Sequence, residues 1–203
     1  MKFYKFLDTI VGQETRLKAL RFLAIRKENA TIADIARGIR VAPPNVSKAL
    51  RVLESEGAIN GRRVGKSIEY SLNKGSYLVE KLLVPLLTAE KDAKYELGRE
   101  IVKNIKFPFI SVILFGSVAR NDSHPKSDID LLIVIDDKFD FSKAEDEALD
   151  LNEPISRYFG NMASPIIIKR SELIRKIKND DKFIASVLKD GKVIGGKILS
   201  EII

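Results

Sequence analysis

Two aspartates are the residues of this chain best suited to metal chemistry. Asp128 and Asp130 stand at the start of a run, 131–135, whose Ile, Leu and Val residues are typical of a buried strand. Since side chains alternate along a strand, both carboxylates are expected on one face, where they repel each other unless a cation neutralises them. A hard ion with oxygen ligands, such as Mg²⁺, suits such a pair and also accepts phosphate oxygens.

A Gly-Ser pair directly after another apolar run, 110–115, supplies the second half of the predicted site. Gly116 lets the backbone turn tightly and approach a ligand. We expect Ser117 to cap a short helix that begins near Val118, because the N–H groups of a first helical turn can bind phosphate. The two halves together predict a site for a nucleoside triphosphate with Mg²⁺. His124, the only histidine, could approach the phosphates, although an exposed loop residue without a role is the simpler interpretation.

The spacing of these elements resembles a known signature. Ten residues separate Ser117 from Asp128, as in the DNA polymerase β-like nucleotidyltransferases, and the context FGSVAR and SDIDLLI is closest to their minimal, single-domain branch. The resemblance implies that Gly116 and Ser117 hold the triphosphate. It also implies that Asp128 and Asp130 are the catalytic residues and the ligands of Mg²⁺ or Mn²⁺. Arg120 could neutralise phosphate charge at the same place, or be ordinary surface charge.

The chain departs from the family pattern in two places. Asn121 stands where members usually have glycine, but asparagine tolerates the left-handed conformation better than most residues. The predicted third strand, 163–168, contains no Asp or Glu, whereas the family usually carries there a carboxylate that activates the attacking hydroxyl. The nearest acid, Glu172, is predicted on the following helix. Two functions therefore stay open: a nucleotidyltransferase, and a transcription regulator whose impaired domain senses nucleotide without transferring it.

Composition and charge narrow the class of protein. The 203 residues suffice for two small domains, and the absence of cysteine excludes disulfides and thiolate metal sites. The polar N-terminus and the lack of a long apolar run predict a cytoplasmic protein without a membrane partner. All of the net charge of +7 comes from residues 1–106, which carry 21 Lys and Arg against 12 Asp and Glu. This asymmetry favours a polyanionic partner for the first half.

The first 75 residues have the order of elements of a winged helix-turn-helix. Apolar residues at helical spacing predict helices over 13–26, 32–37 and 43–56, and a basic hairpin is expected over 58–72. The string PPNVSKALRVLESEGAI resembles the recognition helix of MarR-like and ArsR-like regulators. Such a helix can enter the major groove of duplex DNA, while the hairpin contacts phosphates or the minor groove.

The residues predicted to bind DNA are polar and basic, and their positions point outward: Asn45, Ser47, Lys48 and Arg51 on the helix, and Arg62, Arg63 and Lys66 on the hairpin. A winged helix used only for protein pairing is one alternative. A nucleic-acid-modifying enzyme whose winged helix grips RNA is another.

The remaining stretch, 76–106, is predicted to be a helical connector with a bend near Thr88. Its apolar helix would be exposed without a partner, so we expect a homodimer; packing on the chain's own second domain is the alternative. The whole chain is predicted to be α+β with two domains. They are a winged helix-turn-helix at 1–75, a connector at 76–106, and an α/β nucleotidyltransferase domain with a short mixed sheet at 107–203. The acceptor is unknown, and the minimal branch implies a partner protein or a small molecule.

Overall fold

The computed structural model describes residues 6–26 and 29–202. The chain divides into two compact units, Met1–Lys91 and Asp92–Ile203. The finer division predicted from the sequence, with a separate connector, stays a prediction. Within the described ranges, no helix is both long and apolar enough to cross a membrane.

The first unit contains the predicted helices and hairpin, together with a short strand that pairs with the hairpin. Its elements are α1 (Phe6–Val11), α2 (Glu14–Ile25), β1 (Ala30–Thr31), α3 (Ile32–Ile39), α4 (Pro43–Ser55), β2 (Ile59–Val64) and β3 (Ser67–Leu72). The strands form an antiparallel sheet in the order β1-β3-β2. Thr31 caps α3 in a capping box with Asp34, and prolines open α4 at positions where a missing N–H costs nothing. The winged-helix order predicted from the sequence is confirmed.

The connector differs from its predicted form. A π-helical segment, Val79–Leu83, leads directly into α5 (Val84–Asn104), which continues through the expected bend at Thr88. The helix is continuous at Thr88, and the bend predicted there stays a prediction. Pro85 explains where the irregularity lies, because proline lacks an N–H and its ring crowds the preceding turn, which a local widening of the helix relieves.

The second unit is a four-stranded mixed sheet with helices on both faces. Its further elements are β4 (Ser111–Leu114), α6 (Gly116–Arg120), β5 (Ile129–Ile135), α7 (Phe141–Leu149), α8 (Asn152–Phe159), β6 (Ala163–Lys169), α9 (Arg170–Lys178), α10 (Lys182–Asp190) and β7 (Lys192–Gly196). The strand order is β6-β5-β4-β7, with β5 and β6 parallel and the other pairs antiparallel. The predicted short mixed sheet is confirmed.

Strand β5 is apolar on both faces because both faces are covered. Leu131 and Ile133 are buried in a cluster with Ile155 of α8, whereas Leu132 and Val134 are buried in a second cluster beneath α9 and α10. This double burial explains the continuous apolar run in the sequence. It also makes β5 a rigid element, and the two aspartates stand at its beginning.

Candidate functional site

Gly116 and Asp130 are neighbours where β4 ends and β5 begins. The N–H of Phe115 donates to the main-chain oxygen of Asp130 at 3.0 Å, which extends the β4–β5 pairing to this point. Gly116 has a φ of 68°, in the left-handed region, and a Cβ added there would overlap Oδ2 of Asp130. Glycine is therefore required twice at this position, for its conformation and for the space that the carboxylate occupies.

The charge of Asp128 acts on the carboxylate of Asp130, as expected for two residues that alternate along a strand. Asp128 is exposed just before β5, and Asp130 is half-buried within it. Burial raises the pKa of Asp130 above its ordinary value, the charge of Asp128 raises it further, and the charge of Arg120 partly opposes both effects. A cation placed between the carboxylates would remove this mutual repulsion.

The donor set fits one hard divalent ion. Mg²⁺ is often held by one or two carboxylates, with water and substrate phosphates completing its coordination. Across residues 6–26 and 29–202, no group of three or more His, Cys, Asp or Glu side chains could hold a metal. Asp128 and Asp130 could thus provide two protein ligands, and the remaining positions would go to water and phosphate.

The short helix between β4 and β5 begins differently from its prediction but ends as predicted. Helix α6 begins at Gly116 with Phe115 in the N-cap position and no side-chain cap, so the expectation that Ser117 caps the helix was wrong. Ser117 lies within the first turn, where N–H groups have no intrahelical acceptor. Asn121 ends the helix with a φ of 66°, which confirms that it takes the left-handed position.

Arg120 lies at the C-terminal end of α6, within electrostatic reach of the carboxylate pair. Its Nε donates to Oδ2 of Asp122 at 3.1 Å, and its Nη1 is 3.9 Å from Oδ2 of Asp190. The guanidinium group is exposed, and exposed ion pairs contribute little free energy. These partners can therefore be exchanged for a phosphate group at small cost.

A hydroxyl occupies the place next to Asp130 on the neighbouring strand. In the parallel register of β5 and β6, Asp130 is paired with Ser164, which is exposed. The strand from Ala163 to Lys169 carries no carboxylate. Glu172 lies on α9, with its Oε1 3.9 Å from a guanidinium nitrogen of Arg175. The position that lacks the family's usual third carboxylate therefore lies beside the pair Asp128 and Asp130.

Asn161 fixes the loop that leads to Asp128, a role that sequence reasoning missed. Its Nδ2 donates to the main-chain oxygen of Ser127 at 2.8 Å and to that of Pro125 at 3.3 Å. The hydroxyl of Ser127 in turn accepts from the N–H of His124 at 2.8 Å. A single sequence gives no signal that pairs Asn161 with a loop more than 30 residues earlier in the chain.

The candidate DNA face of the first unit has the exposure that its pattern predicted. On α4, Val46, Leu50 and Leu53 are fully buried. The opposite face carries the predicted contact residues, of which Asn45, Lys48 and Arg51 are exposed and Ser47 is half-buried.

The hairpin is attached to this same helix. Glu54 of α4 accepts a hydrogen bond from the N–H of Gly61 on β2 at 3.1 Å. Arg62, Arg63 and Lys66 are exposed at and near its turn. The unit therefore presents helix and hairpin cations on connected elements.

Models of known protein families match part of each of the two units. Residues 98–197 match the family model "Polymerase beta, Nucleotidyltransferase", and residues 13–60 match "Bacterial regulatory protein, arsR family". A curated protein of Methanocaldococcus jannaschii, provisionally named a protein adenylyltransferase, is 37% identical over 83 residues, which are 41% of this chain and 75% of the relative. The chain belongs to the polymerase beta nucleotidyltransferase family. It combines a domain of this family with an ArsR-family helix-turn-helix.

Several solved structures are similar to part of this chain. Reduced HlyU from Vibrio cholerae is 22% identical, with a TM-score of 0.35, and the match covers 40% of this chain and 81% of that one. The winged helix-turn-helix domain of Mb0332 from Mycobacterium bovis is 20% identical, with a TM-score of 0.37, and covers 45% and 81%. The repressor BigR from Xylella fastidiosa is 28% identical, with a TM-score of 0.32, and covers 38% and 79%.

Proposed function

We propose that this protein transfers a nucleoside monophosphate from a nucleoside triphosphate to an acceptor, and that its first unit binds duplex DNA. The observation that carries the transferase proposal is the contact between Gly116 and Asp130. It joins the backbone turn that would hold phosphate to the carboxylate pair that would hold the metal. Family membership supports a nucleotide substrate and a divalent ion.

Each residue of the site has a distinct part in the proposed reaction. The N–H groups at Gly116 and Ser117 and the guanidinium of Arg120 would bind and orient the phosphates. Asp128 and Asp130 would hold Mg²⁺ or Mn²⁺, which when bound neutralises phosphate charge. An acceptor oxygen attacks the α-phosphorus and releases its proton to solvent. The bond from that phosphorus to the bridging oxygen breaks, and pyrophosphate leaves.

The acceptor class is suggested by the relative and not by the site. The Methanocaldococcus jannaschii protein is provisionally named a protein adenylyltransferase, which supports ATP as the donor and a protein side chain as the acceptor. A small-molecule acceptor is the second candidate for the same reaction.

One observation favours the regulator function as the alternative. Ser164 lies where a carboxylate could activate the attacking hydroxyl, and a serine hydroxyl does not accept a proton near neutral pH. In that case the second unit would bind nucleotide without turnover, and the nucleotide would change DNA affinity.

DNA binding and dimer formation are the partner proposals for the first unit. The face of α4 and the cations of the hairpin would contact base edges and phosphates, respectively. The side chains of Tyr77, Leu82 and Leu86 are 69%, 43% and 51% exposed on the connector, and pairing with a second copy would cover them. We place such a regulator-like protein in the cytoplasm.

A transfer assay with labelled nucleotide tests the enzyme. The protein is incubated with each α-³²P-labelled nucleoside triphosphate, Mg²⁺ or Mn²⁺, and host lysate. Label should move to an acceptor with the wild type but not with the Asp128→Asn, Asp130→Asn double variant. Asp146→Asn, an exposed change on α7, is the matched control and should retain transfer. Nucleotide binding without transfer would favour the nucleotide-sensing regulator over the transferase. The absence of both nucleotide binding and transfer would refute the enzyme function and the regulator function.

DNA binding is tested by its salt dependence. Each phosphate contact contributes about 0.9 to the slope of log K against log salt concentration. Changing Arg62 and Arg63 to glutamine should therefore lower the slope by about 1.8, as measured by fluorescence anisotropy on duplex DNA. Arg99→Gln, an exposed change in the second unit, should leave the slope unchanged. An equal slope for all three proteins would place the phosphate contacts elsewhere.

A further inference from the structure

A cavity of about 390 Å³ opens in the second unit beside the loop that precedes Asp128. One wall is apolar and includes Leu97, Val118 and Phe159, which belong to or pack against the hydrophobic cluster under the sheet. Lys94 and His124 also line the cavity. This volume and this mixture of apolar wall and few polar groups are those of small-molecule sites.

Among the described residues that line the cavity, the one charged residue is Lys94, which would attract an anion. Its lining includes Lys94 and His124, and none of the described residues that line it is acidic. Lys94 is half-buried, and its pKa is lowered, first by burial and then by the nearby charge of Lys192, with Asp122 opposing. Its Nζ donates to the main-chain oxygen of Ala119 at 3.3 Å. An ammonium group has three donors, so this bond leaves capacity for a ligand.

The cavity shares a wall with the proposed nucleotide site but faces the other way. Ile129 lines it, and strand alternation turns the side chain of Ile129 away from the face that carries the carboxylates of Asp128 and Asp130. Val118 lies on the same short helix as Gly116. The segment from Gly116 to Asp130 therefore separates the two sites.

We propose that this cavity binds a small aromatic anion, with its ring against Phe159 and Val118 and its anionic group facing Lys94 and His124. The site is separate from the metal-binding carboxylates, and the proposal does not depend on nucleotidyl transfer. Because both sites contact one segment, occupancy of either is expected to change the affinity of the other by the same factor.

The probe is 1-anilinonaphthalene-8-sulfonate, an aromatic anion whose fluorescence rises on binding in an apolar site. We expect saturable binding to the full chain with one equivalent per chain. Lys94→Gln should weaken binding at least tenfold, and Ala93→Trp, which places a large side chain at the lining, should abolish it. Lys103→Gln, an exposed change on the same helix α5, should bind as the wild type does. Far-UV circular dichroism shows whether each variant is folded.

Unchanged affinity in folded Lys94→Gln, or unchanged binding in folded Ala93→Trp, would overturn the proposal. If Ala93→Trp does not fold, Val118→Trp replaces it, with the same outcomes. A competition series with ATP and with benzoate then separates two sources of the ligand chemistry. Competitive displacement by ATP that persists in the Asp128→Asn, Asp130→Asn variant would identify the ligand as a nucleotide. Displacement by benzoate alone would identify a non-nucleotide aromatic acid. Displacement by neither would show that the probe binds through its large apolar rings, and this would overturn the proposal of a site for small aromatic anions.

Discussion

Replacing Gly116 with alanine should damage the nucleotide site far more than the fold. The residue has a φ of 68°, and placing alanine in the left-handed region costs roughly 1–2 kcal/mol. The added Cβ would also overlap Oδ2 of Asp130 and come within 2.9 Å of its Cγ, so the carboxylate must move. Displacing one of two protein ligands should weaken Mg²⁺-ATP binding at least tenfold, which is about 1.4 kcal/mol.

Gly160 provides a matched control in the same unit. Its φ is 78°, and apart from its neighbours in the chain no described atom lies within 4 Å of a Cβ added there. Gly160→Ala should therefore have the same conformational cost without touching a carboxylate. Both variants should lower the free energy of unfolding in urea by roughly 1–2 kcal/mol. Only Gly116→Ala should lose affinity in calorimetric titrations with Mg²⁺-ATP. Equal affinity of the two variants would show that the binding site does not depend on the space that Gly116 leaves for Asp130.

Three further changes test the electrostatics, the strand register and a helix cap. The raised pKa of Asp130 means that the folded state holds this proton more tightly than the unfolded chain, so stability falls as pH rises through that pKa. Asp128→Asn removes one cause of the raised pKa of Asp130. In the absence of metal, the variant should therefore unfold at a higher urea concentration than the wild type at pH 7, but at the same concentration when the pH lies below the ordinary pKa of aspartate. A lower urea midpoint at pH 7 would contradict this. Ser164→Asp places a carboxylate beside Asp130 and should tighten Mn²⁺ binding in calorimetry, which an unchanged affinity would contradict. Thr31→Ala removes a capping box and should cost about 1 kcal/mol in urea unfolding, whereas exposed Thr88→Ala should cost less than about 0.5 kcal/mol; equal costs would contradict the cap.

Local patterns predicted the elements whose residues interact with near neighbours in the chain. The helices of the first unit follow from apolar spacing and from Thr31 as a cap. Strand β5 follows from a short apolar run, which is typical of a strand that is covered on both faces. The proximity of Asp128 and Asp130 follows from alternation alone, and the effect of Asp128 on the pKa of Asp130 agrees with it.

The features that were missed depend on distant pairing or on small backbone adjustments. Strand β7 was not predicted, because Gly195 and Gly196 weaken a five-residue strand whose pairing with β4 spans some 80 residues of chain. Asn161 has no local signal for its bonds to the Asp128 loop. Helix α6 begins at Gly116 and not near Val118 as expected, because the left-handed glycine itself begins the turn.

A crystal structure with Mn²⁺ and a non-hydrolysable ATP analogue would show whether Asp128 and Asp130 hold the metal, because the anomalous signal of Mn²⁺ locates the ion independently of the protein. We expect an ion between the carboxylates of Asp128 and Asp130, with phosphate oxygens in its coordination and against the backbone of Gly116 and Ser117. An ion at another position, or phosphates that contact neither the carboxylate pair nor that turn, would rule out the proposed nucleotide site.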